Sequence, residues 1–435
     1  MRILIIADEV WNDELHGNNV LSNWFDGYNA DFAEIYCSPG TPNNQCCENY
    51  FQITDTMMVK SFLGKKAGNR FELSTSKMQK IAKTEIAEQM PGAFYKFMKS
   101  IASTPVLMIR DLIWLTGSYN KKELEKFIVD FEPDVVFCPR LLTPKLIRLE
   151  KIVSKYTKAP FIAFTADDEG SLLQVSYSPF FWIRRLLFRK AFKKHIKLYK
   201  EYVMFSEEQA IEYAIEYNIA TSTLFKSGNF TGAPITKKIN TPIQLVYAGR
   251  MYCNRWKTLA AIGKALKEIN ADGIKMTLAI YTQENISNRQ LKALLPNDYI
   301  RLNGRISPSE LIDIYKQADI ALHVESFDKK YRYATRVSFS TKIIDLMNSS
   351  CAILAICWNK HSGYQYLKKH DAAFCVSEID NIKALLIQLV DKPELVQAYA
   401  KKAWECGEMN HKSIHIQEKM KKILQRVIDE KNNKS

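Results

Sequence analysis

Short runs of apolar and β-branched residues recur along the chain, each followed by a longer stretch in which apolar positions return with helical spacing. The first series is 3-ILIIA-7, 32-FAEIYC-37, 134-DVVFC-138, 160-PFIAFT-165 and 201-EYVMFS-206. After residue 240 the rhythm restarts with 243-IQLVYAG-249, 275-KMTLAIYT-282, 298-DYIRLNG-304, 319-DIALHVE-325, 351-CAILAI-356 and 372-AAFCV-376. Strands alternating with helices predict parallel sheets with crossover helices on both faces. Two such series predict two doubly wound α/β domains, and a length of 435 residues is too great for one ordinary core. The stretch 226-KSGNFTGAPITKKINTP-242 lacks periodic apolar positions and is rich in Gly, Thr, Asn and Pro, as a linker is. The expected organisation is an N-terminal domain over 1–235, a C-terminal domain over 236–410, and a final amphipathic helix and tail over 411–435.

In open α/β sheets, ligands bind beyond the carboxyl ends of the strands, so the residues just after each strand carry the interest. After the strand 243–248 come Gly249, Arg250 and, in the first turns of a helix, Lys257. Glycine permits close backbone approach, a guanidinium grips phosphate oxygens bidentately, an ammonium adds a point charge, and a helix start favours anions. In isolation such a pair also fits a solvated Arg and Lys at a helix start. The strand 319–324 ends in Glu325, a long polar and aromatic loop follows, and Ser340-Thr341-Lys342 opens a helix with Asp345 one turn inside. Carboxylates suit sugar and ribose hydroxyls, and Lys342 with the two hydroxyls suits phosphate at a helix N-terminus. Helix capping by Ser340-Thr341 and a dipole-placed first-turn acid at Asp345 account for the same residues. Taken together, two cationic strand ends and two carboxylates outline a site for a nucleotide carrying a sugar.

The net charge of +14 is unevenly spread. Residues 1–50 hold one Arg against eight acids, whereas 178-SPFFWIRRLLFRKAFKKHIKLYK-200 holds eight Lys or Arg and no acid, interleaved with aromatic and aliphatic residues. That reads as a basic amphipathic helix, which lies on anionic bilayers or fits a partner groove; an ordinary surface helix packed on the sheet is the plainer account. A second basic stretch, 60–110, runs into the apolar segment 101-IASTPVLMIRDLIWLTG-117, which Arg110 and Asp111 interrupt. No run reaches the ~18 apolar residues of a spanning helix, so none is predicted. The start, MRILIIADEVWNDE, reads as a buried first strand and not as a signal peptide. Nine cysteines show no CxxC pair and no nearby Cys/His set at zinc spacing, so a reduced, cytoplasmic protein with no metal site is expected. The charge is not accompanied by a nucleic-acid-binding module, so no nucleic-acid partner is expected.

Three motifs carry a resemblance: 247-YAGRMYCNRWKTL-259, 302-LNGRISPSELIDIYKQADIALHVES-326 and 340-STKIIDLMNSSCAILAI-356. In order and spacing they resemble the GT-B fold glycosyltransferases of the family 4 type, over about residues 235–410. The resemblance implies two Rossmann-like domains facing a central cleft, with a nucleotide-sugar donor held as substrate by the C-terminal one and no further cofactor. Arg250 and Lys257 match the family's diphosphate-binding cations, with Gly249 beside them. Glu325 matches the acid that contacts the donor sugar, Asp345 the acid that holds the ribose, and Gly304 to Ile306 the loop beside the base. The family's spacing of seven between its two acids is replaced here by a longer loop, the second acid is Asp, and the usual Gly after the helix is Ser350. In the N-terminal half, Gly17 and Asn18 resemble the family's glycine loop, and 166-ADDEG-170 an acid-bearing loop in which Asp168 is a candidate acceptor-side group or base, or else a solvated acid. His16 stands beside the same glycine, and His323 alternates within a strand as a core or wall residue.

The resemblance implies retaining transfer of a sugar to a saccharide or lipid-linked acceptor, in bacterial cell-surface glycan or lipopolysaccharide biosynthesis; the basic helix 178–200 and the apolar segment 101–117 would hold the N-terminal domain against an anionic inner leaflet. The absence of a DxD triplet after the strands of the C-terminal half fits metal-independent transfer. A non-catalytic scaffold subunit or a nucleotide-sugar epimerase shares the fold and stands as the alternative.

Overall fold

The computed structural model describes residues 1–14, 20–73, 104–139, 142–234, 236–294 and 296–432. The chain divides into two compact units, one made of Met1–Leu172, Ser176–Leu224 and Gln417–Ser435, the other of Leu173–Val175 and Phe225–Ile416.

The first unit is built on an eight-stranded sheet: β1 (Arg2–Ala7), β2 (Asp31–Tyr36), β3 (Asn49–Gln52), β4 (Asn69–Glu72), β5 (Val135–Pro139), β6 (Phe161–Thr165), β7 (Tyr199–Met204) and β8 (Ala220–Thr223). Their order is β4-β3-β2-β1-β5-β6-β7-β8, parallel throughout except that β4 runs against β3. β1, β5 and β6 are buried along nearly their whole length, which is why their sequences are almost continuously apolar. The pattern of the sequence does not reveal β3, β4 and β8, and the reason is physical. Each has four residues with polar groups at most positions (NYFQ, NRFE, ATST), too short to display a period.

The second unit carries β9 (Ile243–Ala248), β10 (Met276–Tyr281), β11 (Ile300–Asn303), β12 (Ile320–Val324), β13 (Ala352–Ile356) and β14 (Phe374–Val376). All are parallel, in the order β11-β10-β9-β12-β13-β14. The sheet therefore winds outward in one direction from β9 and in the other from β12, which makes the carboxyl ends of these two neighbours the topological switch point.

The segment read as a linker enters the second unit earlier than its composition suggests. Phe225 packs against Phe339, Tyr366 and His411, and Phe230 is buried against the helix Glu394–His411. Gly407 makes room there: a Cβ at that position would stand 2.2 Å from the Phe230 ring. The basic helix runs Pro179–His195, with Ser178 accepting the Phe181 N–H as N-cap, and Tyr199 already belongs to β7.

Candidate functional site

At the switch point the chain leaves β9 through Gly249 and Arg250 and turns into the helix Arg255–Ile269. The turn is fixed from several sides. The Tyr247 hydroxyl donates to the Arg250 carbonyl at 2.6 Å, the Met251 N–H donates to Glu284 at 2.7 Å, and the Gly249 N–H donates to the Tyr281 carbonyl at 2.9 Å. Cys253 and Asn254 adopt left-handed φ values of 56° and 60°, which reverse the chain into the helix. Arg250 is exposed at the rim of this turn.

β12, next to β9, delivers Glu325 immediately beyond its end. Glu325 is buried, and its two oxygens accept from Nε (2.9 Å) and Nη2 of Arg255 in a fork. Burial alone would raise the Glu325 carboxyl, but Arg255 outweighs it and holds the group below its usual range. The guanidinium also lies over the Tyr252 ring at 4.4 Å, and the Thr258 hydroxyl donates to the Glu325 carbonyl at 2.7 Å. Arg255 is the residue that reading the sequence misses. It sits between Arg250 and Lys257 in the same motif, and only the pairing of β9 with β12 brings it against an acid 70 positions later.

Lys257 is half-exposed and pairs with Asp328 at 2.7 Å, and Asn254 donates to the same carboxylate oxygen at 2.7 Å. Asp328 begins the short helix Lys329–Ala334, which the sequence shows only as part of a polar loop. Lys342 reaches back to β9, its ammonium 3.3 Å from the Ala248 carbonyl. Glycine at 249 is required for this approach, since a Cβ there would lie 2.4 Å from Lys342 Nζ. Partial desolvation, with Arg255 and Arg250 nearby, lowers the Lys342 pKa.

Thr341 heads the six-residue helix Lys342–Met347, but its side chain makes no capping bond, and Ser340 is half-buried beside it. Asp345 pairs with Lys226 at 3.4 Å, and its pKa is raised by desolvation that Lys226 only partly offsets. Gly304 is exposed with open space around it, and Ile306 is half-buried in the loop after β11. Within the second unit, then, Gly249, Arg250, Lys257, Glu325 and Lys342 gather at two adjacent strand ends.

In the first unit Asp168 is buried and not solvated. It accepts the Ser171 N–H at 2.9 Å, the Ser171 hydroxyl, and Arg185 at 3.3 Å, bracing its own loop against the basic helix. Its neighbour Glu169 accepts from the Leu142 N–H and the Tyr202 hydroxyl. Gly17 and Asn18, with His16, lie outside the described residues.

The basic helix divides its cations: its three arginines are taken up in ion pairs, while Lys190, Lys193 and Lys194 are exposed. Arg184 pairs with Asp111, Arg185 with Asp168, and Arg189 with Glu216. What faces solvent instead is Phe180, Ile183, Leu186 and Leu187, with Lys190 and Lys194 alongside, and the neighbouring helix Thr104–Thr116 exposes Ile109, Leu112 and Leu115. Among the described residues no helix is long and apolar enough to cross a membrane.

No family model matches the chain, and a search of curated proteins returns no match. Solved structures do match. Sucrose-phosphate synthase from Thermosynechococcus elongatus aligns over 99% of both chains with a TM-score of 0.62 at 10% identity. HepE of Anabaena, in complex with UDP and glucose, aligns over 98% of this chain and 100% of its own, with a TM-score of 0.59 at 11% identity. TarM aligns over 71% of this chain with a TM-score of 0.52 at 12% identity, and this chain spans 58% of TarM's length. At such identities the likeness speaks for architecture: with two Rossmann-like units matched along nearly its whole length by these structures, the chain has the GT-B glycosyltransferase fold.

Proposed function

We propose that the chain transfers a sugar from a nucleotide-sugar donor to a saccharide or lipid-linked acceptor, with retention and without a metal, in cell-surface glycan synthesis. The observation that carries this reading is the set of cations at one switch point, Arg250 on the rim, Lys342 held against Ala248 and Lys257 in the first turn of the next helix. In such a transfer the nucleoside diphosphate leaves with growing negative charge. Cations already fixed where that charge develops stabilise the transition state more than the ground state. UDP bound with a sugar in structures of HepE and of the pneumococcal O-GlcNAc transferase GtfA supports a nucleotide-sugar donor.

In this reading Arg250, Lys257 and Lys342 hold the diphosphate, and Glu325, whose fork with Arg255 leaves a lone pair on each oxygen, meets the donor sugar. Ser340 and Thr341 add hydroxyls beside the phosphates, Asp345 takes the ribose, and Gly304 to Ile306 border the base. The acceptor half falls to the first unit, with Asp168 shaping its loop. The apolar strip of Phe180, Ile183 and Leu187 with Lys190 and Lys194 supports docking on an anionic membrane surface.

A thermal-shift screen with UDP, GDP, ADP and CMP, repeated on Arg250→Ala, tests the proposal. One nucleotide should raise the melting temperature of the native chain and lose that effect in the variant. Indifference to all four would remove the donor site and leave a non-catalytic scaffold subunit.

A further inference from the structure

We propose that His323, Cys357 and His361 bind a divalent cation of the zinc class. The three residues come from separate places in the sequence and converge in the second unit. His323 lies within β12, Cys357 directly follows β13, and His361 closes the next turn as N-cap of the helix Ser362–Lys369. β12 and β13 are paired neighbours in register His323 to Ala355, which puts Cys357 beside the strand that carries the histidine. One ligand atom from each of the three lies within 4.8 Å of the others, and all three side chains are buried.

The donor set is chemically specific. Two imidazoles and a thiolate suit zinc, which takes N and S ligands in tetrahedral geometry, and three protein ligands leave a fourth position for water. At ordinary zinc bond lengths the ligand atoms stand roughly 3.5 Å apart, so side-chain rotations of about an ångström close the set. A second observation points the same way. The Nε2 of His323 is buried without a hydrogen-bond partner, a costly state for a polar atom that a metal ion would relieve. Space beside that nitrogen is kept by Gly363, where a Cβ would come within 3.2 Å of it.

The proton balance is simple. Ligation takes one proton from the Cys357 thiol to solvent and none from the neutral imidazoles. His361 Nδ1 accepts the Gly363 N–H at 3.2 Å. A metal at Nδ1 takes that lone pair, and one at Nε2 moves the ring proton to Nδ1, so either way the cap bond is exchanged for the metal bond. The ion pins the turn after β13 to β12 two residues before Glu325, a positioning role separate from the diphosphate cations.

The test uses full-length protein stripped with a chelator, dialysed, and loaded with zinc or, as a coloured probe, cobalt(II). One zinc per chain should survive dialysis and raise the melting temperature, and cobalt should give a thiolate-to-metal charge-transfer band with the intense visible absorption of a tetrahedral site. Cys357→Ser should abolish the band. His361→Asn, which keeps a capping oxygen and so protects the fold, should weaken cobalt binding at least about tenfold. No thiolate band in the native chain, or a band that persists in Cys357→Ser because other cysteines hold the ion, overturns the proposal. Diphosphate binding is read separately, so either reading can fail alone.

Discussion

Arg255 grips Glu325 through both nitrogens of one edge of its guanidinium, and the pair joins the start of the helix Arg255–Ile269 to the end of β12. Glu325 is only 4% exposed, so a lost partner leaves an uncompensated buried charge. Arg255→Ala should therefore cost about 3–5 kcal/mol of stability. The double variant Arg255→Met with Glu325→Gln, which removes both charges, should cost markedly less. Chemical denaturation of the two variants measures the difference, and equal losses would mean that packing, not charge, holds this corner together.

Gly249 gives a sharper test of the cation cluster. An added Cβ meets first the far end of a flexible side chain, Lys342 Nζ at 2.4 Å, and then, less closely, the Tyr247 hydroxyl at 3.1 Å, which must give by a few tenths of an ångström. Gly249→Ala should then displace the ammonium while changing the melting temperature little. If Lys342 serves the diphosphate, affinity for the nucleoside diphosphate should fall about tenfold or more by calorimetry. Unchanged affinity would take Lys342 out of the site.

Lys257 and Asp328 form a pair whose side chains are 41% and 34% exposed, a setting in which ion pairs add little to stability. Asp328 nevertheless competes with any phosphate for the ammonium. Asp328→Asn should leave the melting temperature nearly unchanged and tighten diphosphate binding severalfold, whereas Lys257→Ala should loosen it. Weaker binding in Asp328→Asn would show that the acid organises the loop for the donor and does not compete with it.

How much of this was legible in the sequence follows from what each feature depends on. The buried parallel strands announce themselves because both faces are apolar, and the strand-end positions Gly249, Arg250 and Glu325 follow from the strands. The Arg255 to Glu325 fork and the meeting of His323, Cys357 and His361 depend on which strands are neighbours, and linear order does not encode that: β9 pairs with β12 across two intervening strands. Orientation around a helix is similarly hidden. The basic helix shows its charge in the sequence, but only the positions of Asp111, Asp168 and Glu216 decide that its arginines turn inward.

The pairing of the arginines changes which substitutions should disrupt the proposed membrane docking. Arg184 and Arg185 are ion-paired within the fold, so their removal should lower the melting temperature. Ile183 and Leu187 are 48% and 61% exposed, and converting both to Glu should leave stability within about 0.5 kcal/mol while abolishing sedimentation with anionic vesicles. Undiminished sedimentation of Ile183→Glu/Leu187→Glu would mean that this face does not meet the bilayer.

Glu34 offers a pH-dependent test in the first unit. It lies fully buried on β2, and its oxygens accept the Trp11 N–H at 3.1 and 3.3 Å, with no ion pair to it among the described residues. Burial pushes its pKa up to about 8, the single backbone bond offsetting only part of the rise. A raised carboxyl pKa means that the folded chain keeps a proton the unfolded chain releases above its ordinary value near 4.5. Stability therefore falls as pH climbs from about 5 to about 8, and levels off once the folded chain also loses the proton. Glu34→Gln keeps an oxygen for Trp11 and cannot ionise, so it should remove this slope. Its advantage over the native chain should be small at pH 5 and on the order of a few kcal/mol at pH 8. Denaturation at both values measures it, and parallel pH profiles for the two chains would show that the fold does not raise the Glu34 pKa.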